Sequence, residues 1–315
     1  MTRRRLVQTV ILLAGLVGIA IAVARTVDSA QDQILPSAPA WAAAAVLAQL
    51  AIVSSARAWV ALFSDLLDSR ANCAVMRGTF YLAQLTKYLP VGGFAQAASQ
   101  LGLAPSVGVP LKRAAVAFPV SAICAIVACT TLGSGLALDP SVAGWMRALA
   151  LCGLLTPLLL RRSLMARMLT FARRIVHRVP GSDQLPTQQD IVVFYGWALV
   201  TIGSLCGAYA ILLASLHTDA HPGTVFCAFA LSWAVGFAAL PIPAGVGVRE
   251  AVLVALLPGV GTAPLLAASL ALRLLTIATE LLAVLVNKLV VRGLPRNAAQ
   301  GSGAARHDAV TVPGS

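Results

Sequence analysis

A chain of 315 residues that is 59% hydrophobic and 11% charged, with a mean hydropathy of +0.86, falls outside the water-soluble globular class. Such domains run at about 45–50% apolar and about 25% charged. The net charge of +12 does not mark a nucleic-acid binder, because Lys and Arg gather in short segments between apolar runs and form no basic block interleaved with aromatics.

The amino terminus, MTRRR followed by an apolar run over 6–24, has the outline of a signal peptide, with Ala22-Val23-Ala24 as a cleavage-like site. Because more spans follow, it reads as an uncleaved signal anchor with Arg3, Arg4 and Arg5 held inside. Unbroken apolar runs come next at about 40–62, 114–136, 143–160, 190–216 and 264–290. Each is near the roughly 20 residues that cross a bilayer as a helix. Two other regions, about 76–105 and 222–260, are apolar but interrupted by proline and glycine. The expected fold is therefore all-α: a polytopic helical membrane protein of about six full spans plus two re-entrant broken-helix hairpins, eight or more nominal transmembrane helices. Six cysteines, none in a C-x-x-C pair, fall mostly within apolar runs and read as small buried hydrophobes.

Charge bias decides how the broken regions sit. With both as hairpins, one entering from each face, 18 of the 23 Lys and Arg residues lie inside, including the dense Arg161–Arg178 stretch, and both termini are cytoplasmic. Arg25 and Arg147 then lie outside, and Lys87, Arg249 and Arg273 sit at membrane depth. Within RRSLMARMLTFARRIVHRV (161–179), apolar residues at 164, 168, 171, 175 and 179 share one side, so the segment reads either as a helix lying flat at the inner headgroups or as a basic loop helix. The Gly- and Ala-rich stretch 294–315 reads as a disordered cytoplasmic tail after a membrane domain over 1–293.

A break within lipid frees backbone polar groups, so it must be buried or line a wet cavity. In LPIPAGVGVREAVLVALL (240–257), Pro241 and Pro243 stop one half-helix, Gly245 and Gly247 let the backbone turn, and a second half-helix starts near 246–248. Its free N–H groups favour an anion, and Arg249 adds a donor fork suited to phosphate. Glu250 suits a helix N-terminus with or without a ligand. In KYLPVGGFAQ (87–96), Lys87 ends one half-helix before Pro90, and Gly92 and Gly93 open the next. Span six carries Ser269, Arg273, Thr276, Glu280 and Asn287 on one helix face. Charges at that depth face the bundle interior, so Lys87, Arg249, Glu250, Arg273 and Glu280 are the candidate substrate-binding residues. The other reading is a salt-bridge network that holds the fold, with Glu250 and Arg249 as candidate partners of Arg273 and Glu280.

His217, Asp219 and His221 in LHTDAH offer three candidate metal ligands, but a short loop before Pro222 reads as solvated, and no metal or cofactor is expected. No P-loop, G-x-S-x-G, H-E-x-x-H or paired-carboxylate signature is present, and no enzymatic activity is expected.

LPIPAGVGVREAVLVALL followed by AASLALRLLTIATELLAVL resembles the C-terminal signature of the lysylphosphatidylglycerol synthase transmembrane-region family, also called the flippase-like domain. KYLPVGGFAQAASQLGL is similar to an earlier segment of that family, and ARAWVALF (56–63) to its Arg-Trp motif. The resemblance covers most of residues 5–292 and implies a membrane protein that moves lipids. It assigns Arg249, Glu250, Arg273 and Lys87 to the site. Span three departs from the pattern: AAVAFPVSAI has Pro119 where many members carry an Arg. No aminoacyl-transferase domain follows span six, so lipid synthesis is not inherited. The expected function is translocation of an anionic phospholipid or polyprenyl-linked phosphate between leaflets of the cell membrane. Membrane lipids are the expected partners, with a homo-oligomer or an envelope-synthesis partner also open. A small-solute secondary transporter and a non-transporting membrane subunit are the competing readings.

Overall fold

The structure, a computed structural model, describes residues 36–67, 69–88, 92–140, 142–175, 182–238 and 247–293. Among these the chain is helical throughout, without strands. The first expected span (6–24) and the tail 294–315 lie outside the described residues. The helices are α1 (Ala38–Ala61), α2 (Arg70–Gln84), α3 (Gly92–Leu103), α4 (Leu111–Gly133), α5 (Gly144–Cys152), α6 (Arg162–Ile175), α7 (Gln188–Ala214), α8 (Pro222–Ala238), α9 (Val248–Leu256) and α10 (Thr262–Gly293). Four segments are long and apolar enough to cross a bilayer: α1, α4 with the 3₁₀ turn that extends it to Leu138, α7 and α10. They coincide with four of the expected spans.

The span expected at 143–160 is not one α-helix. It is α-helical through Cys152 and then 3₁₀ over Gly153–Leu160, with Pro157 inside the tighter stretch, before an 89° bend into α6. The 3₁₀ form rises further per residue, so these 17 residues reach roughly 30 Å, the depth of a hydrocarbon core. The stretch approaches α4 closely at Gly153, where a Cβ would collide with the Thr130 carbonyl. Thr130 and Thr156 share a hydroxyl hydrogen bond of 2.9 Å at the same crossing. Small residues and hydroxyl pairs are what draw helices together in lipid, where burial of apolar surface no longer favours contact. Gly153→Ala is expected to destabilise the detergent-solubilised protein by about 1–3 kcal/mol through overpacking, read as a lower melting temperature. Gly144→Ala, facing open space, should leave it unchanged.

The core is the antiparallel pair α1 and α7. Ala44, Ala48 and Ala51 pack inward on α1, Ser54 and Thr201 share a 2.8 Å hydroxyl contact, and Arg57 lies over the Trp197 ring at 5.2 Å. A reciprocal capping box starts α7: the Thr187 hydroxyl accepts from the Asp190 N–H at 3.1 Å, and Asp190 accepts from the Thr187 N–H at 3.0 Å. Ser64, just beyond α1, donates to Asp190 at 2.6 Å.

Side-chain ties between helix ends set the direction of each segment. At one end of the bundle, Arg113 at the start of α4 donates to both oxygens of Asp65 (3.0 and 3.1 Å) and to the carbonyls of Gln184 and Leu185 (3.0 and 2.8 Å). The Gln188 side chain joins Leu160 to the same end through that residue's carbonyl at 3.2 Å. At the opposite end Thr224 donates to Asp139, and Tyr209 donates to the Leu265 carbonyl at 3.1 Å. Residues 66–112 thus leave and return at the Arg113 end, and residues 217–261 leave and return at the Asp139 end. The broken regions expected over about 76–105 and 222–260 lie within these two stretches.

On α6, two residues of the expected apolar side lie on the outer surface. Met165 and Leu169 are the buried residues, while Met168 and Phe171 point outward, beside the exposed Leu154, Leu155 and Leu158 of the preceding stretch. Of the six free cysteines, Cys124, Cys129, Cys206 and Cys227 are buried, Cys73 is half-buried and Cys152 is exposed.

Candidate functional site

Both excursions converge on one face of α10. This helix has 32 residues, roughly 48 Å by ideal rise, and Arg273 and Glu280 flank its midpoint. Seven residues separate them, two helical turns, so they share a face about 10 Å apart. Ser269, Glu280 and Asn287 on the expected stripe are buried, and Arg273 and Thr276 are partly so. Asn287 donates to the Ala74 carbonyl of α2 at 3.1 Å, and Gly78 leaves room for it: a Cβ there would lie 2.6 Å from the Asn287 amide nitrogen.

The first excursion supplies Lys87. α2 does not run on to it. It tightens into a 3₁₀ turn over Leu85–Tyr88, which places the Lys87 ammonium in an ion pair with Glu280. Tyr88 faces Thr276 and Glu280 and feels the charge of Arg273, so it stands between the two charged positions of α10. Only one Glu280 oxygen is engaged by Lys87; Oε2 is buried without a hydrogen-bond partner among the described residues. Gly92 and Gly93 open α3 as expected, whereas Pro90 lies outside the described residues.

The second excursion supplies Arg249 and Glu250. Pro241, Pro243 and Gly245 lie outside the described residues. Gly247 turns the chain at φ 86°, a left-handed conformation that favours glycine, and α9 begins at the next residue, as expected. Glu250 sits in its first turn. Its Oε2 accepts from the Gly247 N–H at 2.8 Å, and its Oε1 accepts from Arg273 at 2.6 Å. One carboxylate thus ties a free helix N-terminus to α10.

Arg249 is arranged differently from the other two cations. Its guanidinium lies over the Trp233 ring at 4.1 Å and the Phe229 ring at 5.2 Å, both on α8. Gly236, on the same α8 face, lets its stem pass: a Cβ there would lie 2.8 Å from the Arg249 Cγ. Cys129, Cys206, Tyr209, Glu250 and Arg273 lie near enough to interact electrostatically. No carboxylate among the described residues pairs with it, and its Nε is buried without an acceptor. The neighbouring Trp233 Nε1 is likewise a buried donor without one. The aromatic pair was not among the expected site residues. Its signal was present as Phe229 and Trp233, four apart on one helix face and leading into the break.

The alternative network partners are therefore resolved in part. Arg273 pairs with Glu250, its expected candidate, but Glu280 pairs with Lys87 and not with Arg249. His217, Asp219 and His221 occupy a loop after α7, where His221 Nδ1 accepts from the Gly223 N–H at 3.2 Å. Among the described residues, no group of three His, Cys, Asp or Glu side chains is placed to hold a metal ion.

No family model, curated protein or solved structure matches this chain.

Proposed function

We propose that the protein is a lipid translocase of the cell membrane, moving an anionic phospholipid or lipid-linked phosphate between leaflets, with both termini cytoplasmic and no catalysis of its own. The observation that supports this reading most directly is that no carboxylate among the described residues pairs with the Arg249 guanidinium, at the level where the two excursions approach α10. A charge at bilayer depth costs about 2.5–3.5 kcal/mol on insertion scales, and cation–π contact returns only about 0.5–2 kcal/mol. An anion is the missing partner. Arg249, Arg273 and the N-terminus of α9 supply donors for it, while acyl chains stay in the surrounding lipid. Interrupted helices entering from opposite ends are also the pattern on which alternating access is built. The resemblance to the lysylphosphatidylglycerol synthase transmembrane-region family points the same way.

The two ion pairs support a second reading, a non-transporting membrane subunit in which Lys87, Glu280, Arg273 and Glu250 hold the fold. Fluorescent phospholipids in proteoliposomes separate the readings. The purified protein is expected to move an anionic lipid between leaflets, with Arg249→Ala slowing it at least tenfold and Arg273→Ala slowing it less, because Arg273 also engages Glu250. No movement of any lipid by folded wild-type protein sinks the translocase reading.

A further inference from the structure

The chain contains only two glutamates, Glu250 and Glu280, and both face this site. Three cations meet them: Lys87, Arg273 and Arg249. Lys87 and Glu280 cancel, as do Arg273 and Glu250, and Arg249 is left over. Among the described residues the site therefore carries one uncompensated positive charge. It also has two buried donors without acceptors, Arg249 Nε and Trp233 Nε1. Residues 239–246, adjacent to Arg249 in the chain, contain no acidic side chain that could supply the missing charge.

Glu250 shows what the site accepts. Its carboxylate already spans a guanidinium and a helix N-terminal N–H, the two kinds of donor that a phosphate oxygen pair would use. With that carboxylate in place, one more negative charge neutralises the described cluster and a second overshoots it. A phosphodiester carries a single charge, whereas a phosphomonoester carries about −1.5 to −2 at pH 7. A monoanion brings the cluster to neutrality. A dianion exchanges one uncompensated charge for another at the same depth.

We propose that Glu250 sets the charge of the ligand, so that this site takes a monoanionic phosphodiester and discriminates against a phosphomonoester or diphosphate. This deepens the translocase reading and rests on it. It also narrows that reading, because a polyprenyl phosphate is a monoester.

The test uses the full chain in proteoliposomes, with acyl-labelled phosphatidylglycerol (a diester) and acyl-labelled phosphatidic acid (a monoester). Wild-type protein is expected to move the diester about tenfold faster or more. Glu250→Gln, which adds one positive charge to the site, should narrow or reverse that ratio, while Glu250→Asp should retain it. Equal rates for both lipids in wild type, or an unchanged ratio in folded Glu250→Gln protein, overturns the proposal. Should Glu250→Gln not fold, the wild-type ratio decides alone. Thermal stabilisation of detergent-solubilised protein by dihexanoyl phosphatidylglycerol against dihexanoyl phosphatidic acid keeps the two claims apart. If neither labelled lipid moves, translocation fails, and preferential stabilisation by the diester still upholds the charge assignment while equal stabilisation overturns it. Glycerophosphoglycerol stabilising as well as the short-chain diester upholds the charge assignment and assigns the phosphodiester to a soluble solute.

Discussion

Glu280→Leu is expected to destabilise the protein by about 3 kcal/mol, because it leaves the Lys87 ammonium unpaired inside the bundle. Removing one partner of a buried pair costs about 3–5 kcal/mol, and the lower end applies because the Lys87 side chain is 21% exposed and recovers some hydration. The informative comparison is the double variant Lys87→Met with Glu280→Leu. It removes both charges and fills the space with apolar atoms, so it should return to within about 1 kcal/mol of wild type. Thermal unfolding followed by a thiol-reactive dye reads this directly, since Cys124, Cys129 and Cys206 are buried in the fold. If Glu280→Leu melts with wild type, the pair does not hold the first excursion against α10.

Arg113→Ala is expected to cost a similar amount, about 3 kcal/mol, for a different reason. Asp65 is 46% exposed and rehydrates when its partner is lost, so little of the effect comes from the ion pair. The Gln184 and Leu185 carbonyls lose hydrogen bonds from a charged donor, each worth about 1.5–3 kcal/mol. Arg113→Lys keeps the charge but not the fork that reaches three acceptor groups at once, so it should recover less than half of the loss. A conservative variant that melts like wild type would show that charge alone closes this end of the bundle.

Much of this arrangement can be read from residue order, because lipid imposes few choices on a chain. Four apolar runs of about 20 residues become four long helices. The distribution of Lys and Arg places the ends of residues 66–112 together, and Arg113 bound to Asp65 is the contact that joins them. The stripe from Ser269 to Asn287 follows from helical spacing, and its buried members face the bundle. What hydropathy does not distinguish is one apolar environment from another. Exposed Leu154 and buried Met165 look alike in sequence, so hydropathy alone does not say which side of α6 packs against the protein. Nor does hydropathy separate α from 3₁₀ pitch over Gly153–Leu160, where Pro157 was the only local sign. The partner of Glu280 was hidden for a third reason. Lys87 reaches it because the chain tightens into a 3₁₀ turn after α2, a change of pitch that no spacing rule anticipates.

Both grips on α10 lie on one face, to either side of Thr276. Tilting that rod about its centre would carry Arg273 one way and Glu280 the other. A see-saw mounted like this loosens one clasp while pressing the other shut. The two excursions would then be linked through a single rigid beam, with no signal having to pass through the rest of the protein.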